Sequence, residues 1–273
     1  MTYRLAFLLG SVLLASGVFT EEAAAQGVDQ RDEMEFVRAL RKAGYKDLAA
    51  DYLKRLEKGA SPELKKELAL EGARTQLDLA DDEPDSSKRL ALYEQVLAEF
   101  KKNGAPALDV AQVATRKGKT QLSRARALES YDARVAEAAK ARDTLVDAGK
   151  QLQQVAADLE AKLARYPEPK TAEEKAEKKR LEDEYLRAQL SLGLNLFDQA
   201  QTYVNEDKQE VRELRAKVFQ KAQQELEKIA GGNPYHPVTW QARAWAGRCL
   251  DELGEPKKAR KKYDEIFNAG TST

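Results

Sequence analysis

Residues 240–267, WQARAWAGRCLDELGEPKKARKKYDEIF, contain the pattern that decides the fold. Leu250, Gly254, Ala259, Tyr263 and Ile266 follow one another at intervals of 4, 5, 4 and 3 residues. We expect the leucine on the inner face of one helix and the glycine at the turn after it, because glycine favours a helix end. The alanine then lies where the second helix crosses the first, since only a small side chain fits there. The pattern predicts an antiparallel helix pair.

The same spacing recurs near the start of the chain, and part of it recurs before the last pair. The full copy is Leu40, Gly44, Ala49, Leu53 and Leu56, and the partial copy is Ala222, Leu226 and Ile229. Helix pairs are therefore predicted at both ends of the chain, with Ala49 and Ala259 at close helix crossings.

Residues 240–267 resemble the tetratricopeptide repeat family. Trp240 stands early in the first helix, Gly247 occupies the small position, and Ala222 precedes Ala259 by 37 residues, close to the repeat period of about 34. The resemblance covers both ends of the chain and, loosely, residues 208–230. It implies an all-α fold of antiparallel helix pairs stacked into an α-solenoid, and a scaffold for protein–protein interaction. It implies no catalytic residue.

The middle of the chain departs from this repeat. Residues 108–166 contain no proline and are rich in alanine, with Gly118 and Gly149 as their weak points for a helix. A seam of coiled-coil type follows at Leu145, Ala148, Leu152, Val155 and Leu159. Residues 170–203 supply a return helix, so we expect a long antiparallel helical hairpin. The domains expected are 26–107 with N-terminal helix pairs, 108–205 with the hairpin and 206–273 with C-terminal repeats.

The N-terminus has the three-part layout of a Sec-type signal peptide. Arg4 precedes an uncharged run from Leu5 to Phe19, and the small residues Ala23–Ala25 follow. The run is too short to span a bilayer comfortably, which takes about 20 apolar residues. We therefore expect residues 1–25 to be removed, a mature chain that starts at Gln26, and a periplasmic or extracellular location without a membrane span. Retention as an anchor is the alternative. Export and helical repeats together are typical of exported bacterial repeat proteins.

Composition narrows the possible functions. The 273 residues contain 46 Lys+Arg and 46 Asp+Glu, so there is no cationic surplus for general binding of nucleic acid. One cysteine excludes a disulfide framework, and one histidine leaves little for common acid–base catalysis. We predict no catalytic, cofactor-binding or metal-ligating set.

Three isolated features are of a type found in catalytic or ligand-binding sites, and each also has a structural interpretation. Gly118-Lys119-Thr120 lacks the earlier glycine of a phosphate-binding loop, because Val113 stands in its place. His236 lies in a loop between prolines, where packing or capping is expected. Cys249 adjoins the inner apolar face and is expected to act as a small buried hydrophobe, with an intermolecular disulfide as the alternative.

The leading function is a non-enzymatic exported scaffold that binds another protein. The residues proposed for partner binding are Arg243 or Arg248 together with an aromatic side chain from Tyr235 or Trp245. They lie on or beside the first helix of the last pair, which lines the inner surface in stacked repeats. Sequence does not decide between the two arginines, which are about 140° apart on a helix.

The sequence also contains one further candidate surface and allows two alternative functions. Residues 110–128 contain no acidic residue and form the second candidate surface. Their five cations are Arg116, Lys117, Lys119, Arg124 and Arg126. The alternative function is a structural, coiled-coil-like adaptor of the envelope that uses the 108–205 hairpin. An enzyme that uses carboxylates alone is the third.

Overall fold

The computed structural model describes residues 30–205, 207–232 and 236–270. The predicted signal peptide, residues 1–25, lies outside this part, as does Tyr235. Within it the chain forms ten α-helices and no strand, which confirms the all-α prediction. Their bounds are α1 Gln30–Lys42, α2 Lys46–Glu57, α3 Pro62–Asp82, α4 Ser86–Asn103, α5 Ala107–Arg126, α6 Tyr131–Ala164, α7 Ala172–Ala200, α8 Gln209–Ala230, α9 Pro237–Glu252 and α10 Pro256–Gly270.

Each helix packs against the next one in the chain, so the helices form successive antiparallel pairs. The first helices of neighbouring pairs also meet, since α1 contacts α3 and α7 contacts both α5 and α9. The apolar core follows the stack as four clusters, from one around Val37 and Leu53 to one around Phe219 and Leu226. None of the helices in the described ranges is both long and apolar enough to cross a membrane.

The two end pairs turn in the same way, as their shared spacing predicts. Gly44 and Gly254 have φ angles of +87° and +74°, which a glycine adopts without steric cost. The backbone N–H of the residue after each glycine donates to the carbonyl of Leu40 or Leu250 at 2.9 Å, which closes the helix end.

Both predicted crossing alanines are buried. Ala49 and Ala259 have no exposed surface, and each begins the apolar face of the second helix in its pair. Full burial is what the predicted crossings require of these two positions.

The middle stretch differs from the sequence prediction at its break. Helix α5 ends at Arg126 and α6 begins at Tyr131, so the turn falls between them and not at Gly118 or Gly149. The Ser130 hydroxyl accepts a hydrogen bond from the Ala133 N–H at 3.4 Å and caps α6. Helices α6 and α7, with 34 and 29 residues, form the long hairpin. Helix α5 precedes this hairpin and packs against α6, so α5 and α6 are also a helix pair of the stack.

Gly118 and Gly149 stay helical because neighbouring helices use the space where a side chain would be. A Cβ at Gly118 would lie 2.6 Å from Cγ of Leu145 on α6. A Cβ at Gly149 would lie 2.7 Å from the side-chain amides of Asn195 and Gln199 on α7. Both glycines therefore mark close helix contacts rather than helix ends.

Candidate protein-binding groove

An open groove of about 520 Å³ lies on the side of the stack formed by the first helices of the last three pairs. Helices α5, α7 and α9 provide most of its lining, and α10 contributes Tyr263. The charged and aromatic side chains that line it are Lys119, Arg126, Phe197, Asp198, Trp245, Arg248, Glu252 and Tyr263. We call this surface the α5–α7–α9 groove.

Trp245 is the aromatic anchor of the groove. Its indole is half-buried and meets the ring of Phe197 edge to face, with the centroids 5.0 Å apart and an interplanar angle of 71°. Phe219 packs in turn against Phe197, at 5.2 Å and 64°. Trp245 presents a fixed apolar surface, because the ring of Phe197 on α7 supports it and the ring of Phe219 on α8 supports Phe197 in turn. Tryptophan is one of the residue types on which binding energy concentrates in protein interfaces.

The structure distinguishes the two arginines that the sequence left open. Arg248 is exposed and lines the groove, and its guanidinium lies 3.2 Å from Glu252 on the next turn of α9. Arg243 points elsewhere: its Nε donates to the Ala230 carbonyl at 2.9 Å, and its guanidinium stacks over Trp240 at 4.9 Å. Arg243 therefore closes the end of α8, while Arg248 and Trp245 share the groove.

The basic stretch of α5 contributes to the same groove. Arg116 pairs with Asp81 and Lys117 lies 2.9 Å from Glu94, so neighbouring carboxylates neutralise these two cations. Lys119 and Arg126 line the groove instead, and Arg126 donates to the side-chain carbonyl of Gln201. The two candidate surfaces of the sequence analysis thus meet at one site.

Two carboxylates lie among these cations. Glu252 accepts from Arg215 at 2.8 Å and from Arg248 at 3.2 Å, so it is held between two guanidinium groups. Asp198 lies 3.6 Å from Lys119 with only 13% of its side chain exposed. Burial raises the pKa of Asp198 to about 6, although Lys119 and Arg126 oppose the shift. The lining therefore carries three cations and two acids, one of which titrates just below neutrality.

Sequence reasoning missed the contribution of α7. Asp198 follows Leu196 and Phe197 and precedes Ala200, so an acid stands within the most buried turns of this helix. A carboxylate in such a stripe was the available signal, because buried acids are rare unless they are paired or functional.

The remaining candidates have structural roles. His236 caps α9, since its Nδ1 accepts from the Val238 N–H at 3.2 Å while Nε2 lies 3.1 Å from Asp183. Cys249 is buried, and burial raises the pKa of its thiol to about 12, so it stays protonated at neutral pH. Within the described ranges, no three His, Cys, Asp or Glu residues group as metal ligands would.

The solved structures to which this chain is similar include two of one repeat protein. One is the crystal structure of a kinesin light chain protein of Podosopora anserina with nearly identical TPR-like repeats: 15% identity, a TM-score of 0.45, and coverage of 89% of this chain and 96% of that one. The other is a point variant of the same protein, at 14% identity and a TM-score of 0.45, covering 87% and 92% of the two chains. No family model and no curated protein matches the chain. The all-α fold of stacked helix pairs follows from the order and packing of the helices in this chain.

Proposed function

We propose that this chain is an exported, non-enzymatic helical scaffold, and that its α5–α7–α9 groove binds an acidic segment of another protein. The observation that carries the proposal is the meeting of Trp245 with Lys119, Arg126 and Arg248 in one open groove. A rigid aromatic ring provides apolar contact area, and the cations attract and orient carboxylates.

The groove favours a segment in which acidic side chains flank an apolar one. Lys119 and Arg126 lie on α5, Arg248 and Trp245 lie on α9, and Phe197 lies on α7, which contacts both helices. An extended peptide with the order acidic, spacer, apolar, spacer, acidic matches this arrangement, because every second side chain of an extended strand points to the same side.

Calorimetric titration of the mature chain with a peptide of the order aspartate, serine, leucine, serine, aspartate tests this function. Arg248→Glu should weaken binding at least tenfold, since it removes a charge-assisted contact and adds repulsion. Arg180→Glu is the matched control, because Arg180 is also exposed, on α7, but lies outside the groove lining. Equal affinities for the two variants would contradict the proposal.

The coiled-coil adaptor has less support. Leu145, Leu152 and Leu159 of the predicted seam are buried against α5 and α7 within the chain. This seam is therefore not free to join a second chain. Light scattering on the mature chain should give a monomer if the scaffold proposal holds, and an elongated oligomer if the adaptor does.

Export is proposed from the sequence alone. The support is the uncharged run from Leu5 to Phe19 with Ala23–Ala25 after it. N-terminal sequencing of the chain from the producing cell should begin at Gln26, and a chain that begins at Met1 would refute cleavage.

A further inference from the structure

Asp198 occupies the position in the groove where a bound carboxylate would meet the cations of α5. Its Oδ2 lies 3.6 Å from Nζ of Lys119, whose own side chain is 54% exposed. Arg126, two turns further along α5, is near enough to act on the same carboxylate. An acidic ligand that enters from solvent must therefore share these cations with a negative charge that the chain already contains.

We propose that Asp198 is an internal competitor for the acidic segment, so that loss of its charge frees Lys119 and Arg126 and opens the groove to that segment. The inference rests on the function proposed above, and it adds to it a means of regulation by pH. Binding would be weak while Asp198 is ionised and strong once it is neutral.

The surroundings of Asp198 make it the group in the groove whose charge changes in mildly acidic solution. Burial shifts its pKa up to about 6, and the facing cations shift it back only in part. The charged or titratable groups around it on the helices that border the groove are Lys119 and Arg126 of α5, Arg248 and Glu252 of α9, Tyr263 of α10, and Arg215 of α8, which holds Glu252. Burial raises the pKa of Tyr263 to about 12, and its hydroxyl donates to Asp251 at 2.8 Å, so it stays neutral.

The expected size of the effect follows from the protonated fraction. With a pKa of about 6, roughly a tenth of the molecules carry a neutral Asp198 at pH 7, and roughly nine tenths do at pH 5. If only the neutral form binds tightly, the apparent affinity rises by up to about tenfold between these pH values, because it scales with the competent fraction.

The experiment uses a probe whose own charge does not change with pH. A peptide of the order cysteic acid, serine, leucine, serine, cysteic acid keeps its sulfonates ionised from pH 5 to pH 7, and the same peptide with serine for cysteic acid is the neutral probe. Binding to the mature chain is measured by calorimetry at both pH values. We expect about tenfold tighter binding at pH 5, and Asp198→Asn should bind at pH 7 as the parent binds at pH 5.

Two controls separate the possible results. Glu94→Gln removes an acid that pairs with Lys117 outside the groove and should leave the pH dependence unchanged. Arg248→Glu should weaken binding at both pH values. If the parent binds in a manner that depends on Arg248, yet its affinity changes less than twofold with pH and Asp198→Asn matches it, the competitor role is wrong and the proposed function stands. If neither the parent nor Asp198→Asn binds the charged probe better than the neutral one, both the competitor role and the proposed function are wrong.

Discussion

Gly247 shows at the scale of one residue how the helix pairs reach their spacing. A Cβ at this position would lie 2.6 Å from Cε1 of Tyr263 on the facing helix, closer than side chains pack. Gly118 faces Leu145 and Gly193 faces Leu226 in the same way, with Cβ distances of 2.6 and 2.7 Å. In three successive pairs, the first helix thus has a glycine where the second presents a large side chain.

Gly247→Ala should destabilise the chain by about 1–3 kcal/mol, because the added methyl group forces the Tyr263 ring and its helix apart. Gly72→Ala is the control, since Gly72 lies within α3 and a Cβ there meets nothing within 4 Å. That change should stabilise the chain by up to about 1 kcal/mol through helix propensity. Urea unfolding followed by circular dichroism measures both, and a shift of the same sign in the two variants would contradict the crossing.

Asp198 should also make stability depend on pH. Its pKa is raised from 3.8 to about 6 in the folded chain, so the folded state binds a proton more readily than the unfolded state does. The contribution of this group to stability is therefore fully present below pH 4 and is lost as the pH rises through 6.

Asp198→Asn, which keeps the shape of the side chain without the charge, should be more stable than the parent at pH 7 by about 1–3 kcal/mol. This difference should vanish below pH 4. Thermal unfolding of both chains at several pH values provides the comparison. A variant that is less stable than the parent at pH 7 would show that the pair with Lys119 outweighs the cost of burial.

At the scale of helices, the end pairs could be predicted because their landmarks lie close together in the sequence. Gly247 and Tyr263, which touch, are 16 residues apart, so one short window contains both helices and the turn. Gly118 and Leu145 make the same contact across 27 residues, and Gly193 and Leu226 across 33. Longer helices and loops separate the contacting residues in these middle pairs. A search for one fixed spacing therefore does not detect the repeat there.

The α5–α7–α9 groove could be predicted only in part, for a different reason. Periodicity within a helix indicates which residues share a face, and it placed Trp245 and Arg248 among the candidates. It does not indicate which helices adjoin across the stack. The meeting of Lys119 with Asp198, 79 positions later, and of both with Trp245 depends on the packing of three separate pairs.

A buried polar contact joins α7 to α5 and α6. Asn195 of α7 has no exposed surface, and its amide donates to the Thr115 hydroxyl of α5 at 3.0 Å. Gln199 donates to the Asn195 side-chain carbonyl at 2.7 Å and to the Leu145 carbonyl of α6 at 3.2 Å. These bonds fix α7 against both helices of the preceding pair, since an unpaired buried polar group is costly.

Asn195→Ala should cost about 2 kcal/mol, because the Thr115 hydroxyl oxygen loses the donor from which it accepts and the Gln199 amide loses one of its two acceptors. Gln154→Ala is the matched control: its amide donates to Asp158 at 2.8 Å, but on the exposed side of α6. That change should stay within about 0.5 kcal/mol. Chemical unfolding measures the two, and equal losses would mean that the buried contact contributes nothing beyond a surface hydrogen bond.

Across the whole molecule, both ion pairs and apolar contacts join neighbouring helix pairs. Ion pairs connect the first helices of the early pairs: Arg41 of α1 binds Glu71 and Asp78 of α3, and Arg74 of α3 lies 3.0 Å from Asp109 of α5. Aromatic and aliphatic contacts connect the late pairs through the cluster around Phe197, Phe219 and Trp245. Because each pair touches only its neighbours, damage to one junction should remain local.

Glu71→Gln tests this locality. Glu71 is 1% exposed and pairs with Arg41 and Arg74, so its neutralisation removes the buried charge that the two guanidinium groups share and leaves them only Asp78 and Asp109, at a cost of about 2 kcal/mol. Amide hydrogen exchange followed by mass spectrometry should then show lost protection in α1 to α3 and unchanged protection in α7 to α9. Glu94→Gln, which removes an exposed carboxylate that pairs with Lys117, should change neither region. Uniform loss along all ten helices would mean that the chain unfolds as a single cooperative unit, because the α3–α5 junction would then transmit the damage instead of confining it.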